Sequence, residues 1–313
     1  MNEAESRRLS EVLNTVKAGA RLTRLWRTET RLALVLVLPT VFWVLAIILY
    51  PMLYTIALSL GAESLSNLGS ATLDLYRATL SNPVTWQELW RTAIWTGGNL
   101  LLTVPLGLGI ALLLNQNLRG LRHIRTWILL PWMFPIVVVV LLWRWLLEPT
   151  VGVINYVLQG IGLTASPVDF LGPDLAMLSV ILTNAWRWIP FIAVVMLAAL
   201  QSVPKELHEA AATDGANAID RFRYVTLPHI LPALTINTFL LAMWLFNMFP
   251  PIWIMTRGGP AEATTTLPIA LYEAAFELFN MERAAVLAII LFVVVIIFSA
   301  LYWVLGRRQL AGR

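Results

Sequence analysis

The stretch Ala284–Leu305 reads AAVLAIILFVVVIIFSALYWVL and contains no charged residue. A helix needs roughly 20 apolar residues to cross about 30 Å of membrane hydrocarbon, so this stretch is long enough to span a bilayer. Hydrophobic residues make up 58% of the chain and charged residues only 13%, about half the charged share of a soluble domain. Five further stretches meet the same length requirement: Leu32–Leu60, Thr92–Leu114, Thr126–Leu147, Leu175–Leu200 and Ile230–Met255. We therefore predict an all-α integral membrane protein with six transmembrane helices, some of them kinked by internal prolines.

The lysines and arginines predict the orientation of the chain, because cytoplasmic loops are enriched in these residues. Of the 22 such residues, sixteen fall on the side of the two termini and four on the other, while Arg144 and Arg187 lie within spans. We therefore predict that both termini are cytoplasmic and that three loops face outward, at 61–91, 148–174 and 256–283.

The same pattern divides the chain into three parts. We predict a basic cytoplasmic tail at 1–31, a six-span domain at 32–306 with a long cytoplasmic loop at 201–229, and a cytoplasmic tail at 307–313. The N-terminal tail is expected to be an amphipathic or disordered segment that contacts lipid.

Several kinds of chemistry are missing from the sequence. The chain has no cysteine, and its three histidines lie in or beside predicted loops without metal-ligand spacing, so we predict no metal site. No H-E-x-x-H or G-x-S-x-G motif is present, which argues against a catalytic site. The basic residues form no continuous patch interleaved with aromatics, so nucleic acid is not an expected partner.

The loop between the fourth and fifth spans, Gln201–His229, begins with the pattern of a short helix. Pro204 suits a first helical turn, and good helix formers fill Lys205–Thr213. Gly215 can adopt the left-handed conformation that ends a helix. The pattern therefore predicts one helix followed by a tight turn.

A second short helix is predicted after this turn. Asn217 is a good N-cap and Asp220 follows three residues later, and the helix is expected to stop before Pro228. The small residues Ala210–Ala212 would let another surface approach closely, and two carboxylates would offer charge to a basic partner, those of Glu209 and Asp214. We interpret the loop as a helix–turn–helix at the membrane surface.

The run Glu209-Ala210-Ala211, followed by Gly215 and then by Val225-Thr226-Leu227-Pro228, resembles the EAA loop of permease subunits of binding-protein-dependent ABC importers. Val225 stands where isoleucine is usual. The resemblance implies a bundle like that of type I ABC importer permeases, with a coupling helix that docks a separate ATPase through Glu209, Ala210, Ala211, Asp214 and Gly215. The alternative is that the segment only connects two spans.

A second pattern is similar to the sugar-type, maltose- and glycerol-phosphate-like subclass of this family. It consists of Gly258-Gly259-Pro260 and the later run Tyr272–Phe276. Glu282-Arg283 departs from the small residues usual in that subclass. The resemblance implies transport of a small solute of the carbohydrate class across a bacterial or archaeal plasma membrane.

The resemblance also implies the partners. These are a second permease subunit, two ATP-binding cassette subunits, an extracytoplasmic solute-binding protein and membrane lipid. The chain cannot hydrolyse ATP itself, because a P-loop requires Gly-Lys and its only lysines, Lys17 and Lys205, follow other residues. We therefore expect it to bind no cofactor and to be no enzyme, with ATP used by the partner ATPase.

Polar and aromatic residues inside the spans suggest a solute pathway, because sugars bind through aromatic faces and amides. The candidates are Asn184, Trp188, Asn237, Trp244 and Asn247. Interhelical hydrogen bonding and ordinary packing explain the same residues. Arg187 lies mid-span, while Arg144 is near a span end, where a long side chain can reach the interface.

The chief rival function is a self-sufficient secondary transporter or channel. Such a protein would be expected to carry intramembrane carboxylates for ion coupling. The acidic residues of this chain fall in predicted loops or near span ends, which favours the importer subunit.

Overall fold

Helices account for the regular structure of the computed structural model, which describes residues 3–62, 71–116 and 121–311. No β-strand occurs in these ranges. Two of the helical segments are single π-helical turns, Phe222–Thr226 and Glu273–Glu277. The α-helices are α1 Glu3–Ser59, α2 Asp74–Ser81, α3 Pro83–Leu114, α4 Leu121–Trp127, α5 Leu130–Met133, α6 Ile136–Leu146, α7 Val153–Gly160, α8 Ala176–Gln201, α9 Lys205–Thr213, α10 Ala218–Arg221, α11 Leu227–Phe246, α12 Pro250–Thr256, α13 Leu267–Tyr272 and α14 Met281–Ala311.

Five of the six predicted spans correspond to helices that are long and apolar enough to cross a membrane. They are Arg31–Ser59, Pro83–Leu114, Ala176–Gln201, Ala218–Phe246 and Met281–Val304. The predicted all-α membrane fold is thus confirmed.

The third predicted span, Thr126–Leu147, is not one straight helix. The segments His123–Met133 and Ile136–Leu146 meet at 90°. Phe134 is extended with ψ 142°, because a residue before proline is pushed away from the helical region, and Pro135 then starts α6. The expectation of a mere kink was therefore wrong here, and the segment counts as a span only if both halves are taken together.

Proline also moves the ends of the fifth span. The predicted span Ile230–Met255 ends at Phe246, and Pro250 and Pro251 begin a separate helix, α12.

At the start of this span, the expected stop before Pro228 is wrong. The amide of Leu227 donates to the carbonyl of Phe222 in a π turn, and the chain continues as a helix from Ala218 to Phe246. Pro228 has no N–H to donate within this continuous stretch, so one helical hydrogen bond is missing directly after the π turn.

Two predicted loop boundaries are also corrected. The second span starts at Pro83 instead of Thr92, because Asn82 caps α3 by accepting from the amide of Val84 at 3.0 Å. The rest of the predicted loop 61–91 contains α2, while residues 63–70 lie outside the described ranges. The predicted N-terminal tail is helical from Glu3 and joins the first span without a break, so the domain boundary at residue 31 stays a prediction.

The core lies where α3 and α8 pack in parallel. Gly98 lies against Ile181, and Gly107 lies so close to Ile192 that a Cβ atom at Gly107 would be 2.7 Å from its side chain. Core residues of α11 pack on this pair, among them Leu241 and Leu245. The bundle therefore has α8 at its centre.

Two contacts identify the ends of the bundle. The hydroxyl of Tyr302, in the last third of α14, donates to the carbonyl of Thr235 at 2.6 Å, so this part of α14 lies beside the first half of α11. At the opposite end, Arg283 lies 3.3 Å from Glu88. We call the end that carries residues 201–229 the loop end and the opposite one the far end.

Candidate functional site

The loop 201–229 has the local structure that its sequence predicts up to the second helix. The helix α9 follows Pro204, and Gly215 has φ +83°, the left-handed conformation expected after it. The carboxamide Oδ1 of Asn217 accepts from the amides of Ile219 and Asp220 at 2.9 and 3.0 Å. The carboxylate of Asp220 accepts in turn from the amide of Asn217 at 3.4 Å, which completes a capping box.

The five candidate coupling residues lie together on one end of α9 and the turn after it. All are exposed except Ala211, which is half-buried. The carboxylate of Glu209 makes no ion pair with the described part of the chain. The surface therefore carries two exposed carboxylates, those of Glu209 and Asp214, and is open to contact by another protein.

Sequence reasoning missed the apolar part of this surface. Leu207, Ile219 and Tyr224 are 45%, 75% and 69% exposed although they lie in a polar loop. The sequence alone could have indicated their exposure, because large apolar side chains between charged residues of a short loop have no core in which to be buried. Exposed apolar side chains next to carboxylates are typical of a protein interface.

A second candidate site lies within the spans, where four aromatic rings form a row. The ring of Trp188 lies 5.0 Å from that of Trp244 and 5.7 Å from that of Phe191, which in turn stacks on Trp132 at 5.1 Å. We call this set, Trp132, Phe191, Trp188 and Trp244, the aromatic row. It joins α5, α8 and α11.

The aromatic row carries hydrogen-bond donors without acceptors. The indole N–H groups of Trp132 and Trp188 are buried and have no partner in the ranges that the structure covers. Trp188 is 6% exposed, whereas Trp244 is 47% exposed and opens the row to the outside of the subunit. Rings with free N–H donors fit a ligand with apolar C–H faces and oxygen acceptors.

Asn184 lies one turn from the aromatic row but in the interface between α3 and α8. Its amide donates to Oδ1 of Asn99 at 2.7 Å, and the amide of Asn99 donates to the carbonyl of Trp95 at 2.8 Å. The Oδ1 atom of Asn184 is buried and has no partner among the described residues. Its geometry therefore favours a structural role between the two helices.

The other two asparagines are not brought to the aromatic row by a contact. The amide of Asn237 donates to the carbonyl of Ala233 at 2.8 Å, and that of Asn247 donates to the carbonyl of Met243 at 3.0 Å. Both bonds lie within or at the end of α11. Of the five predicted pathway residues, only Trp188 and Trp244 contact each other in the row.

The two arginines inside the spans have different surroundings. Arg144 donates to the carbonyl of Ile254 at 3.3 Å and so connects α6 with α12. Arg187 lies over the ring of Trp188 at 5.6 Å, and its buried Nε has no partner in the described ranges. Arg187 thus adds a third unpaired donor beside the aromatic row.

Known proteins resemble the chain over both candidate sites. The family model described as "Binding-protein-dependent transport system inner membrane component" matches residues 103–310. The trehalose/maltose transport system permease protein MalF of Thermococcus litoralis is 30% identical over 282 residues, which cover 89% of this chain and 95% of the relative. The sulfoquinovosyl glycerol transport system permease protein SmoG of Agrobacterium fabrum is 31% identical over 278 residues, which cover 87% of this chain and 89% of the relative.

A solved structure agrees with these sequence similarities. It is a bacterial alginate ABC transporter in complex with an alginate pentasaccharide-bound periplasmic protein. One of its chains superposes with a TM-score of 0.78 at 25% identity, over 91% of this chain and 98% of that chain. The fold is therefore that of an ABC transporter subunit.

Proposed function

Because the chain belongs to the family of binding-protein-dependent transport system inner membrane components, we propose that it forms half of the passage of an ATP-driven carbohydrate importer and docks a separate ATPase through the loop 201–229. It is a multi-pass ABC transporter permease of the inner membrane. The proposal concerns the solute, the coupling residues and the partners.

The observation that carries the coupling proposal is the unbroken helix between loop and span. The capped helix α10, the π turn at Phe222–Thr226 and α11 follow one another from Ala218 to Phe246. The turn at Gly215 joins this helix to α9, and the amide of Ala216 donates to the carbonyl of Ala211 across it, so a displacement of the surface around Glu209 would move α11 and with it Trp244. Interhelix contacts made of packed side chains transmit such movements as rigid-body shifts.

The aromatic row supports a carbohydrate as solute. Its rings offer flat apolar faces to sugar C–H groups, and the N–H groups of Trp132 and Trp188 offer donors to sugar oxygens. Relatives named for trehalose/maltose and sulfoquinovosyl glycerol, and a structure named for alginate, are consistent with this class.

The proposed assembly contains a second permease, two ATPase subunits and an extracytoplasmic binding protein. Residues 31–54 of α1 are all exposed except Ala46, which is half-buried, and this leaves a long face for lipid and for the second permease. We propose that the loop end is cytoplasmic, on the basis of the sixteen lysines and arginines on that side.

Reconstitution distinguishes an ATP-driven importer subunit from the alternative function of a self-sufficient secondary transporter. The chain is co-expressed with candidate permease, ATPase and binding-protein subunits from the same organism, purified and placed in proteoliposomes, and labelled-sugar uptake is measured. We expect uptake only with ATP inside and binding protein outside. Uptake by the chain alone, driven by an ion gradient, would favour the secondary transporter and contradict our proposal.

A further inference from the structure

At the far end of the bundle, Glu88 on α3 is an almost completely buried carboxylate. It is 2% exposed, and its Oε1 lies 3.3 Å from a guanidinium nitrogen of Arg283, 195 residues later in the chain. The second carboxylate oxygen, Oε2, is buried and has no partner among the residues that the structure describes. A buried charged oxygen without a donor is costly, so a group that supplies one would be stabilised there.

Glu88 lies at a cavity of about 220 Å³, which we call the far-end cavity. This volume is several times the ~30 Å³ share of a water molecule in the liquid. The polar residues that line it are Asn82, Glu88, Glu262, Thr265, Glu273 and Arg283. Glu262, whose side chain is 58% exposed, opens the cavity to the surface and lies 3.8 Å from Arg91.

The charge of the far-end cavity is negative. Three carboxylates face two arginines, Arg283 in the wall and Arg91 beside Glu262. Burial, and then the nearby carboxylates of Glu277 and Glu262, raise the pKa of Glu273 above its usual value. An additional positive charge would relieve this repulsion.

The wall formed by residues 257–265 is held in a defined shape. Gly258 has φ +79°, and a Cβ atom there would lie 2.6 Å from Oγ1 of Thr265 and 3.1 Å from the carboxylate of Glu273. The hydroxyl of Thr265 donates to the carbonyl of Gly258 at 3.0 Å. Glu262 itself is left-handed with φ +59°, and such conformations are concentrated at functional sites.

We propose that the far-end cavity receives a lysine or arginine side chain of the extracytoplasmic binding protein, an inference that rests on the proposed function. The cationic head donates to Oε2 of Glu88 and lies between the carboxylates of Glu273 and Glu262. A bound metal ion is the weaker explanation, because no group of three or more acidic or other metal-ligating residues within the described ranges has metal-binding geometry. The far end is opposite the proposed ATPase-docking loop, which is where a binding protein must approach.

The test uses the complete transporter in lipid nanodiscs and the binding protein that supports its uptake. Binding is measured by biolayer interferometry at several salt concentrations for wild type, Glu273→Gln and Glu88→Gln. We expect each variant to weaken binding at least about tenfold and to make it less sensitive to salt. Glu273→Gln keeps the pair of Glu88 and Arg283, so its effect cannot come from loss of that pair.

Glu282→Gln is the matched control, because Glu282 is an exposed carboxylate beside Arg283 that does not line the cavity. It should bind as wild type does. Wild-type affinity in both cavity variants would overturn the proposal, and so would an affinity that falls equally in the control. If the wild-type transporter itself bound no binding protein, the proposed function would fail first, so the two failures are distinguishable.

Discussion

The indole rings of Trp188 and Trp244 pack 5.0 Å apart, although α8 precedes the loop 201–229 and α11 follows it. The loop thus joins the two helices whose rings meet in the aromatic row. A change in the direction of one helix relative to the other would separate these rings. The loop that carries the proposed docking surface is therefore continuous with α8 on one side and with α11 on the other. Both helices contribute a ring to the proposed solute site.

The first prediction concerns the indole N–H of Trp188. Trp188→Phe keeps an aromatic ring in the core but removes the donor, whereas alanine would also cost about 3–5 kcal/mol of packing. We expect sugar uptake to fall about tenfold, mainly through a higher KM, while the ATPase still co-purifies. Trp186→Phe is the control on the same helix, because that ring packs on Trp143 and does not join the row. Equal uptake in both variants would place Trp188 among packing residues.

The second prediction separates packing from solute contact at Asn184. Asn99→Ala, Asn184→Ala and the double variant are compared by thermal unfolding in detergent and by uptake. The bond of 2.7 Å between the two amides predicts non-additive losses of stability, about 0.6–1.7 kcal/mol for the bond itself. A stable Asn184→Ala protein with lost uptake would instead make Asn184 a pathway residue.

The third prediction concerns Glu209 in the docking surface. Glu209→Lys places a positive charge where a basic ATPase surface is expected, so it should abolish ATPase co-purification or uncouple ATP hydrolysis from uptake. Glu209→Ala should be milder. Glu282→Lys is the control, since Glu282 is also an exposed carboxylate but lies at the far end of the bundle, away from α9. Normal coupling in the Glu209→Lys protein would show that the loop is only a connector.

The fourth prediction tests which side of the membrane the loop end faces. Because the chain has no cysteine, single cysteines can be introduced at exposed positions without background. In intact cells, Ser166→Cys at the far end should react with an impermeant maleimide, and Asn217→Cys in the loop should react only after permeabilisation. The reverse pattern would invert the orientation and place the loop where no ATPase is available.

The features of this fold that depend only on neighbouring residues could be predicted from the sequence. Apolar length is a local property, so α8 begins and ends within one residue of the predicted span. The capping box at Asn217 and the left-handed Gly215 also depend only on neighbouring residues, and both were predictable.

The effect of proline was not predictable, because it depends on the surroundings. Pro190 lies inside a continuous α8, whereas Pro135 coincides with a 90° bend. The difference depends on whether neighbouring helices satisfy the freed carbonyl groups. The same holds for Arg283, whose departure from the subclass pattern is explained only by Glu88, a residue far away in the sequence.

The tight contact at Gly107 has a consequence for where the bundle can deform. With no side chain between them, α3 and α8 are interlocked by Ile192, and interlocked side chains at crystal-like density resist sliding. These two helices would therefore travel as one block. Relative movement would then occur between this block and α11, in the surface that contains the contact between Trp188 and Trp244. The close approach at Gly107 thus fixes α3 to α8 and leaves the contact between Trp188 and Trp244 as one that a moving α11 would change.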